Sequence, residues 1–130
     1  SSAASDVYKR QAQKIAEKLD YVGTIAIEYF INKNNDLLVN EIAPRPHNSA
    51  HLTINAFNVS QFESHVRAVC DLKIIAPGII CKSAEMINIL GKEIEEYRSK
   101  TFDKNEFFID YGKKEIKDKR KMGHLTILKK

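Results

Sequence analysis

Residues 39–51 combine the side chains that are best suited to chemistry in this chain. They read Val-Asn-Glu-Ile-Ala-Pro-Arg-Pro-His-Asn-Ser-Ala-His. Glu41 ends an apolar run, and in the polar segment that follows, Pro44 and Pro46 hold the backbone extended and non-helical. A stiffened loop with arginine, histidine, amide and hydroxyl groups after a buried strand is typical of a site for an anion and a metal ion.

The cationic group of this loop is Arg45. Its planar guanidinium can donate two hydrogen bonds to one phosphate or carboxylate, which makes it a candidate anion clamp. His47, Asn48 and Ser49 supply further donors, and their backbone amides could form an anion-binding nest. For His51 two interpretations stay open, a place in the site or a place in the packing.

Two strands are predicted to position Glu41. Residues 23–31 are rich in β-branched and aromatic side chains, residues 37–42 are apolar, and the Asn- and Asp-rich residues 32–36 between them favour a turn. The three segments predict a β-hairpin. If it is symmetric about residues 34 and 35, the numbers of opposed residues sum to 69, and Glu28 lies opposite Glu41.

This register predicts a metal site. Like charges directly opposite each other on a sheet destabilise it unless a cation lies between them. Oxygen ligands suit Mg²⁺, which takes one or two carboxylates and completes its shell with phosphate and water. A register shifted by one residue would instead leave Glu28 and Glu41 facing solvent, and both interpretations remain open. Asn40 points to the opposite face of a regular strand, so it joins such a site only if the strand end twists.

A second set of basic residues lies near the end of the chain. Residues 111–130 contain eight Lys or Arg against Glu115 and Asp118, a charge of +6, so the other residues sum to −2. The segment lies between predicted strands at 107–111 and 125–128, with Gly112 and Gly123 at its ends. A basic loop anchored in this way can close over a phosphate. A solvated loop and a nucleic-acid surface are the alternatives, and the second lacks the aromatic side chains that stacking needs.

Composition and length describe an ordinary globular protein. The 130 residues suffice for one domain's core, with 43% hydrophobic and 29% charged residues. No run approaches the roughly 20 apolar residues of a membrane span. Cys70 and Cys81 lie in apolar runs and are predicted to be buried free thiols, which favours a reducing, cytoplasmic location. Apolar periodicity predicts helices at about 8–20 and 61–72, and a strand at 79–90.

Taken together, the motifs resemble one enzyme family. The run at 39–49, the sequence Ser-Gln-Phe-Glu at 60–63 and the sequence Arg-Lys-Met-Gly-His at 120–124 are similar to the N5-carboxyaminoimidazole ribonucleotide synthetase family of ATP-grasp enzymes. The resemblance covers about residues 12–128. The chain departs from it at Ala50 and Leu52, where the family usually has Gly and Trp, and at residues 118–119, where Pro-Gly is common.

The resemblance implies an α+β fold, the C-terminal half of an ATP-grasp domain (an antiparallel sheet with helices) followed by a small β-rich domain. The corresponding domains are residues 12–76 and 77–130, and residues 1–11 are predicted to be a disordered or non-native end. It also implies that the chain is a C-terminal fragment, inactive alone, of a homodimeric cytoplasmic enzyme.

The family reaction joins bicarbonate to the amine of 5-aminoimidazole ribonucleotide and splits ATP to ADP and phosphate. By position, the resemblance implies a catalytic role for Arg45 and Mg²⁺ ligation, with Mn²⁺ as the alternative ion, by Glu28 and Glu41. The contacts that it implies are ATP at Asn40 and Glu41, the ribonucleotide at Arg45, His47, Asn48 and Ser49, and its 5′-phosphate at Lys113, Arg120 and Lys121. A membrane or nucleic-acid partner is not expected, and another ATP-grasp enzyme of purine metabolism is the alternative.

Overall fold

The chain has the predicted α+β architecture. The computed structural model describes residues 2–129, with side chains from residue 6 onward. All strand pairs are antiparallel, and the described strands form a two-stranded sheet, β1-β2, and a three-stranded sheet in the order β3-β5-β4. The helices are α1 (Ser2–Lys18), α2 (Thr53–Ala56), α3 (Gln61–Val69) and α4 (Glu93–Ser99), and the strands are β1 (Ala26–Ile31), β2 (Leu37–Ala43), β3 (Ser83–Leu90), β4 (Glu106–Asp110) and β5 (Lys121–Lys129).

The chain divides into two compact units. The first contains the residues up to Ala50 together with Gln61–Ile75, and the second contains His51–Ser60 and Ala76–Lys130. Residues 51–60 therefore belong with the second unit, because they include α2, which contacts β5. The predicted division into domains at 12–76 and 77–130 stays a prediction.

Helix α1 of the first unit begins earlier than its periodicity predicts. It runs from Ser2 to Lys18, so the described part of residues 1–11 is helical rather than irregular. Ala12, Ile15 and Ala16 follow the 3.6-residue period on one face of the helix, and all three are half-buried. Leu19 is 55% exposed because the helix ends one residue before it.

Helix α3 is tied to the segment that leads into β1. The Thr24 amide donates to Nδ1 of His65 at 3.1 Å, and the Thr24 hydroxyl donates to the Gln61 carbonyl at 3.1 Å. Gly23 has a φ of +132°, and a Cβ there would lie 2.8 Å from Nδ1 of His65, so only glycine allows this approach. His65 thus has a structural role within the first unit.

The second unit is built on the sheet β3-β5-β4. Its core consists of Ile89, Ile94, Met122 and Leu125, all nearly inaccessible, where α4 covers one face of the sheet. Strand β5 is longer than the predicted 125–128, because the Arg-Lys-Met-Gly-His motif continues it as buried strand rather than loop. Strand β3 is shorter than the predicted 79–90, and Ile79 forms only an isolated bridge with Phe57.

The two cysteines differ in exposure from the prediction. Both thiols are free, and Cys81 is half-buried, but Cys70 is exposed. Cys70 follows the last residue of α3 and lies in a turn, which takes it off the helix face that packs.

Gly123 is required for the close approach of β4 and β5. A Cβ at this position would lie 2.5 Å from the Ile109 carbonyl oxygen, a backbone atom that cannot move without disturbing the strand pair. We expect Gly123→Ala to lower the free energy of unfolding by about 3 kcal/mol, measured by urea titration. Gly78→Ala is the control, because its Cβ would meet nothing closer than 3.7 Å. Equal stability of the two variants would contradict this assignment.

Candidate functional site

The register of the β1-β2 hairpin places Glu28 directly opposite Glu41. The predicted sum of 69 holds for Ala26 with Ala43, Ile27 with Ile42 and Glu28 with Glu41. The two carboxylates therefore lie on one sheet face rather than on opposite faces. Their side chains are 40% and 49% exposed, so the pair is open to solvent and to a ligand.

A β-bulge brings Asn40 to the same point. The register shifts between Glu28 and Tyr29, and Tyr29 pairs with Val39, so Asn40 is the extra residue on β2. A bulge sets two residues of one strand against a single residue of its partner, here Asn40 and Glu41 against Glu28. The Asn40 amide nitrogen lies 3.4 Å from Oε2 of Glu28. In a regular strand Asn40 would point to the opposite face, so the bulge is what places its side chain beside Glu28.

His47 lies beside both carboxylates. Its Nδ1 is 3.6 Å from Oε1 of Glu28, and its Nε2 is 3.8 Å from Oε1 of Glu41. The Ser49 hydroxyl lies 2.9 Å from the same Nδ1, and the imidazole is only 14% exposed. The resemblance separates the metal ligands before Pro44 from the ribonucleotide side after it. The structure instead brings His47 into contact with both glutamates.

Gln61 holds the His47 backbone in place, a role that the sequence motif at 60–63 does not indicate. Its Oε1 accepts from the His47 amide at 2.8 Å, and its Nε2 donates to the His47 carbonyl at 2.8 Å. Gln61 is 6% exposed at the start of α3. The Gln61 side-chain amide therefore pairs with both backbone groups of His47, as a residue of a neighbouring strand would. No local pattern indicates this contact, since the two residues are 14 positions apart.

The remaining site residues of this loop are Arg45, Asn48 and Ser49, and their described backbone contacts are local. Asn48 and Ser49 begin a single 3₁₀ turn, Asn48–Ala50, after the segment with the two prolines. One guanidinium nitrogen of Arg45 donates to the Pro46 carbonyl at 3.0 Å. A guanidinium carries five donors, so this bond leaves most of the fork for an anion.

The donor set at the hairpin fits a hard divalent cation. Glu28 and Glu41 offer carboxylate oxygens, and the Asn40 side-chain amide lies beside them with its nitrogen toward Glu28. Within residues 2–129, no group of three or more His, Cys, Asp or Glu side chains is arranged to hold a metal ion. A pair of carboxylates suits Mg²⁺, which takes one or two such ligands and keeps water and phosphate in its shell.

The basic residues of the second unit lie around the loop between β4 and β5. The Lys113 ammonium donates to the Lys121 carbonyl and lies 5.3 Å from the centroid of the Tyr111 ring. Arg120 donates to the Glu115 carbonyl at 3.1 Å, and its guanidinium is 3.9 Å from the Glu115 carboxylate. The fold thus brings Lys113 next to Lys121, while Arg120 is directed to Glu115.

Beneath this loop lies a cluster of three rings, His51, Tyr111 and His124. Their centroids are 5.5–6.0 Å apart, and the Tyr111 hydroxyl lies 2.8 Å from Nδ1 of His124. His124 is completely buried in β5, and its Nε2 has no hydrogen-bond partner among the residues that the structure describes. Burial lowers the pKa of His124, and His51 lowers it further. His51 therefore has a place in the packing of the second unit.

The low pKa of His124 predicts a pH-dependent stability. Because the unfolded chain binds a proton at this residue more readily, the free energy of unfolding should be constant above pH 6.5 and fall as the pH drops below it. The slope cannot exceed one proton, which is about 1.4 kcal/mol per pH unit. Urea titrations between pH 7.5 and 5.5 measure it, and His124→Gln should reduce the slope. An unchanged slope in that variant would assign it to other groups.

Two family models match the chain, an ATP-grasp domain at residues 2–62 and the phosphoribosylaminoimidazole carboxylase C-terminal domain at residues 84–130. The N5-carboxyaminoimidazole ribonucleotide synthase of Staphylococcus aureus (strain COL) is 44% identical over 92% of this chain and 32% of its own length. That of Bacillus subtilis (strain 168) is 45% identical over 91% of this chain and 31% of its own. A crystal structure of the S. aureus synthetase with ADP superposes at a TM-score of 0.85, with 41% identity over 95% of this chain and 34% of that one.

In both matched segments the chain is similar to the N5-carboxyaminoimidazole ribonucleotide synthases. It spans about a third of the length of these synthases. The ATP-grasp match begins at residue 2, so it also includes residues that lie outside the resemblance of 12–128. Among residues 2–129, no helix has the length and apolar character that crossing a membrane requires.

Proposed function

We propose that this chain is part of an ATP-dependent carbon–nitrogen ligase of purine biosynthesis. The whole enzyme would convert 5-aminoimidazole ribonucleotide, bicarbonate and ATP to N5-carboxyaminoimidazole ribonucleotide, ADP and phosphate. Most support comes from the hairpin, where the register and bulge gather Glu28, Asn40 and Glu41 at one point on one sheet face. Because the chain spans about a third of its relatives, we expect it to be inactive alone.

The reaction would proceed in two steps. A bicarbonate oxygen attacks the γ-phosphorus of ATP, and the bond to the β–γ bridging oxygen breaks, which yields carboxyphosphate and ADP. The amine of the ribonucleotide then attacks the carboxyphosphate carbon, phosphate leaves, and the amine loses a proton. In such transfers positioning and charge stabilisation supply most of the catalysis.

The first unit would contribute the metal and nucleotide contacts. Glu28 and Glu41 would hold Mg²⁺, with Mn²⁺ as the alternative ion, and the ion would offset the charge of the phosphate groups. Asn40 and Glu41 would contact ATP, which is consistent with the ADP complex of the S. aureus synthetase. Arg45 would stabilise the charge on the transferring phosphoryl group with the donors that Pro46 does not use.

The acceptor contacts follow from the same family positions. Arg45, His47, Asn48 and Ser49 would face the ribonucleotide, and Gln61 keeps the His47 backbone in a single position for this purpose. Lys113, Arg120 and Lys121 would hold its 5′-phosphate. We also propose a homodimeric parent enzyme in the cytoplasm, as the family resemblance implies.

A nucleic-acid-binding role for the basic loop receives no support from the geometry. The Tyr111 ring is half-buried, lies under Lys113 and contacts two histidines, so its faces are not presented for stacking on bases.

The test is phosphate release from ATP by a full-length enzyme that carries this sequence. Release should require both bicarbonate and 5-aminoimidazole ribonucleotide, and the 130-residue chain alone should give none. Dependence on formate in place of bicarbonate would assign the chain to a transformylase of the same superfamily. Release that ignores the ribonucleotide would overturn the proposal.

A further inference from the structure

Tyr111, where the loop between β4 and β5 begins, is held by its backbone, its ring and its hydroxyl. Its amide continues the β4-β5 ladder by donating to the Met122 carbonyl at 2.9 Å. Its ring packs edge-on against His51, with 6.0 Å between the centroids, and lies tilted against His124 at 5.6 Å. Its hydroxyl lies 2.8 Å from Nδ1 of the buried His124. Backbone, ring and hydroxyl are therefore each fixed.

Lys113 takes its position from this ring. Its ammonium lies 5.3 Å from the ring centroid, within the range of a cation–π contact, and donates to the Lys121 carbonyl. Gly112, between the two residues, has a φ of +66°, and its amide donates to Oδ1 of Asp110 at 2.8 Å. The turn and the ring together limit where the four-carbon stem can point. An ammonium has three donors, and the carbonyl uses one of them.

We propose that Tyr111 and His124 are positioning residues for Lys113, which they hold ready to bind the phosphate monoester of the acceptor substrate. This inference rests on the proposed function of the basic loop. A lysine side chain loses rotamer entropy when it is fixed in one position. A ring anchored through its hydroxyl to a buried imidazole removes much of that cost before the substrate arrives. Tyr111 and His124 need not touch the substrate themselves.

The experiment measures KM for 5-aminoimidazole ribonucleotide and for ATP in the full-length enzyme. Tyr111→Phe keeps the ring and removes only the hydroxyl, and we expect it to raise the KM for the ribonucleotide about fivefold, with the KM for ATP unchanged. Lys113→Met should raise it about 30-fold. The double variant should be no worse than Lys113→Met, because both changes act through the same ammonium.

Tyr97→Phe is the matched control, since Lys100 lies over its ring at 5.4 Å in the same way. It should leave both KM values unchanged. Thermal unfolding of the full-length enzyme should show that Tyr111→Phe remains folded. Effects of Tyr111→Phe and Lys113→Met that multiply in the double variant, or an unchanged KM in Tyr111→Phe, would overturn the positioning role. An unchanged KM in Lys113→Met would instead overturn the proposed phosphate contact itself.

Discussion

Glu41→Gln and Glu28→Gln are each expected to reduce ribonucleotide-dependent phosphate release about 10²- to 10³-fold in the full-length enzyme. Each change removes one of the two opposed carboxylates, and an amide holds a divalent cation much more weakly. The fold should not suffer, because the change also removes a like-charge pair from one sheet face. We expect the free energy of unfolding to stay within about 1 kcal/mol of its original value.

Glu85→Gln provides the control for this pair of variants. Glu85 is also an exposed strand glutamate, but it lies on β3 of the other sheet. It should retain full activity. Because raised Mg²⁺ compensates for a weakened metal site, activity of Glu28→Gln should recover partly at high Mg²⁺. Full activity of Glu41→Gln at low Mg²⁺ would contradict the metal-ligand assignment.

Gln61→Met is expected to damage both stability and activity. Methionine fills a similar volume but leaves the His47 amide and carbonyl without their side-chain partners. An unpartnered buried backbone group costs about 1–3 kcal/mol, so we expect a loss of roughly 3 kcal/mol in urea titrations of the chain. The His47 amide should also exchange with solvent faster than the amides of β5, as measured by hydrogen exchange.

Activity is the more specific readout for Gln61. Since His47 lies beside Glu28 and Glu41, freeing its backbone should disorder the site, and we expect phosphate release to fall about tenfold or more at a temperature where the variant is folded. Gln13→Met is the matched control, because Gln13 is exposed on α1 and bonds only to Glu17 among the contacts described. Normal exchange of the His47 amide in Gln61→Met would show that the clamp is dispensable.

Local sequence patterns predict part of the structure of the hairpin. Strand propensity and an Asn-rich turn predict the hairpin, and of the two registers that they leave open the structure has the one that pairs Glu28 with Glu41. The same symmetry fails beyond Tyr29, where the bulge shifts the register by one residue. Alternation along a strand contains no signal for a bulge, so only the folded backbone determines that Asn40 lies beside Glu28.

The basic loop shows the opposite case. Its charge and the flanking strands are evident from the sequence, but Gly123 and His124 prove to be buried strand residues rather than the end of a loop. A motif rich in Lys and Arg conceals this, because the charges of Arg120 and Lys121 precede a run whose side chains are all buried up to Thr126. Their burial depends on α2 and α4 covering the sheet.

The sequence by itself determined the elements and the chemistry on offer: a hairpin with two carboxylates, a proline-stiffened polar loop and a basic segment between strands. These follow from side-chain type and short-range spacing, which act between neighbours in the chain. Only the tertiary structure decided that Gln61 clamps His47, that His47 meets both carboxylates, and that His124 anchors Tyr111 beneath Lys113. The partners in those contacts are 6 to 19 positions apart and are separated by turns and loops. No single helical or strand period connects them, so tertiary packing brings them together.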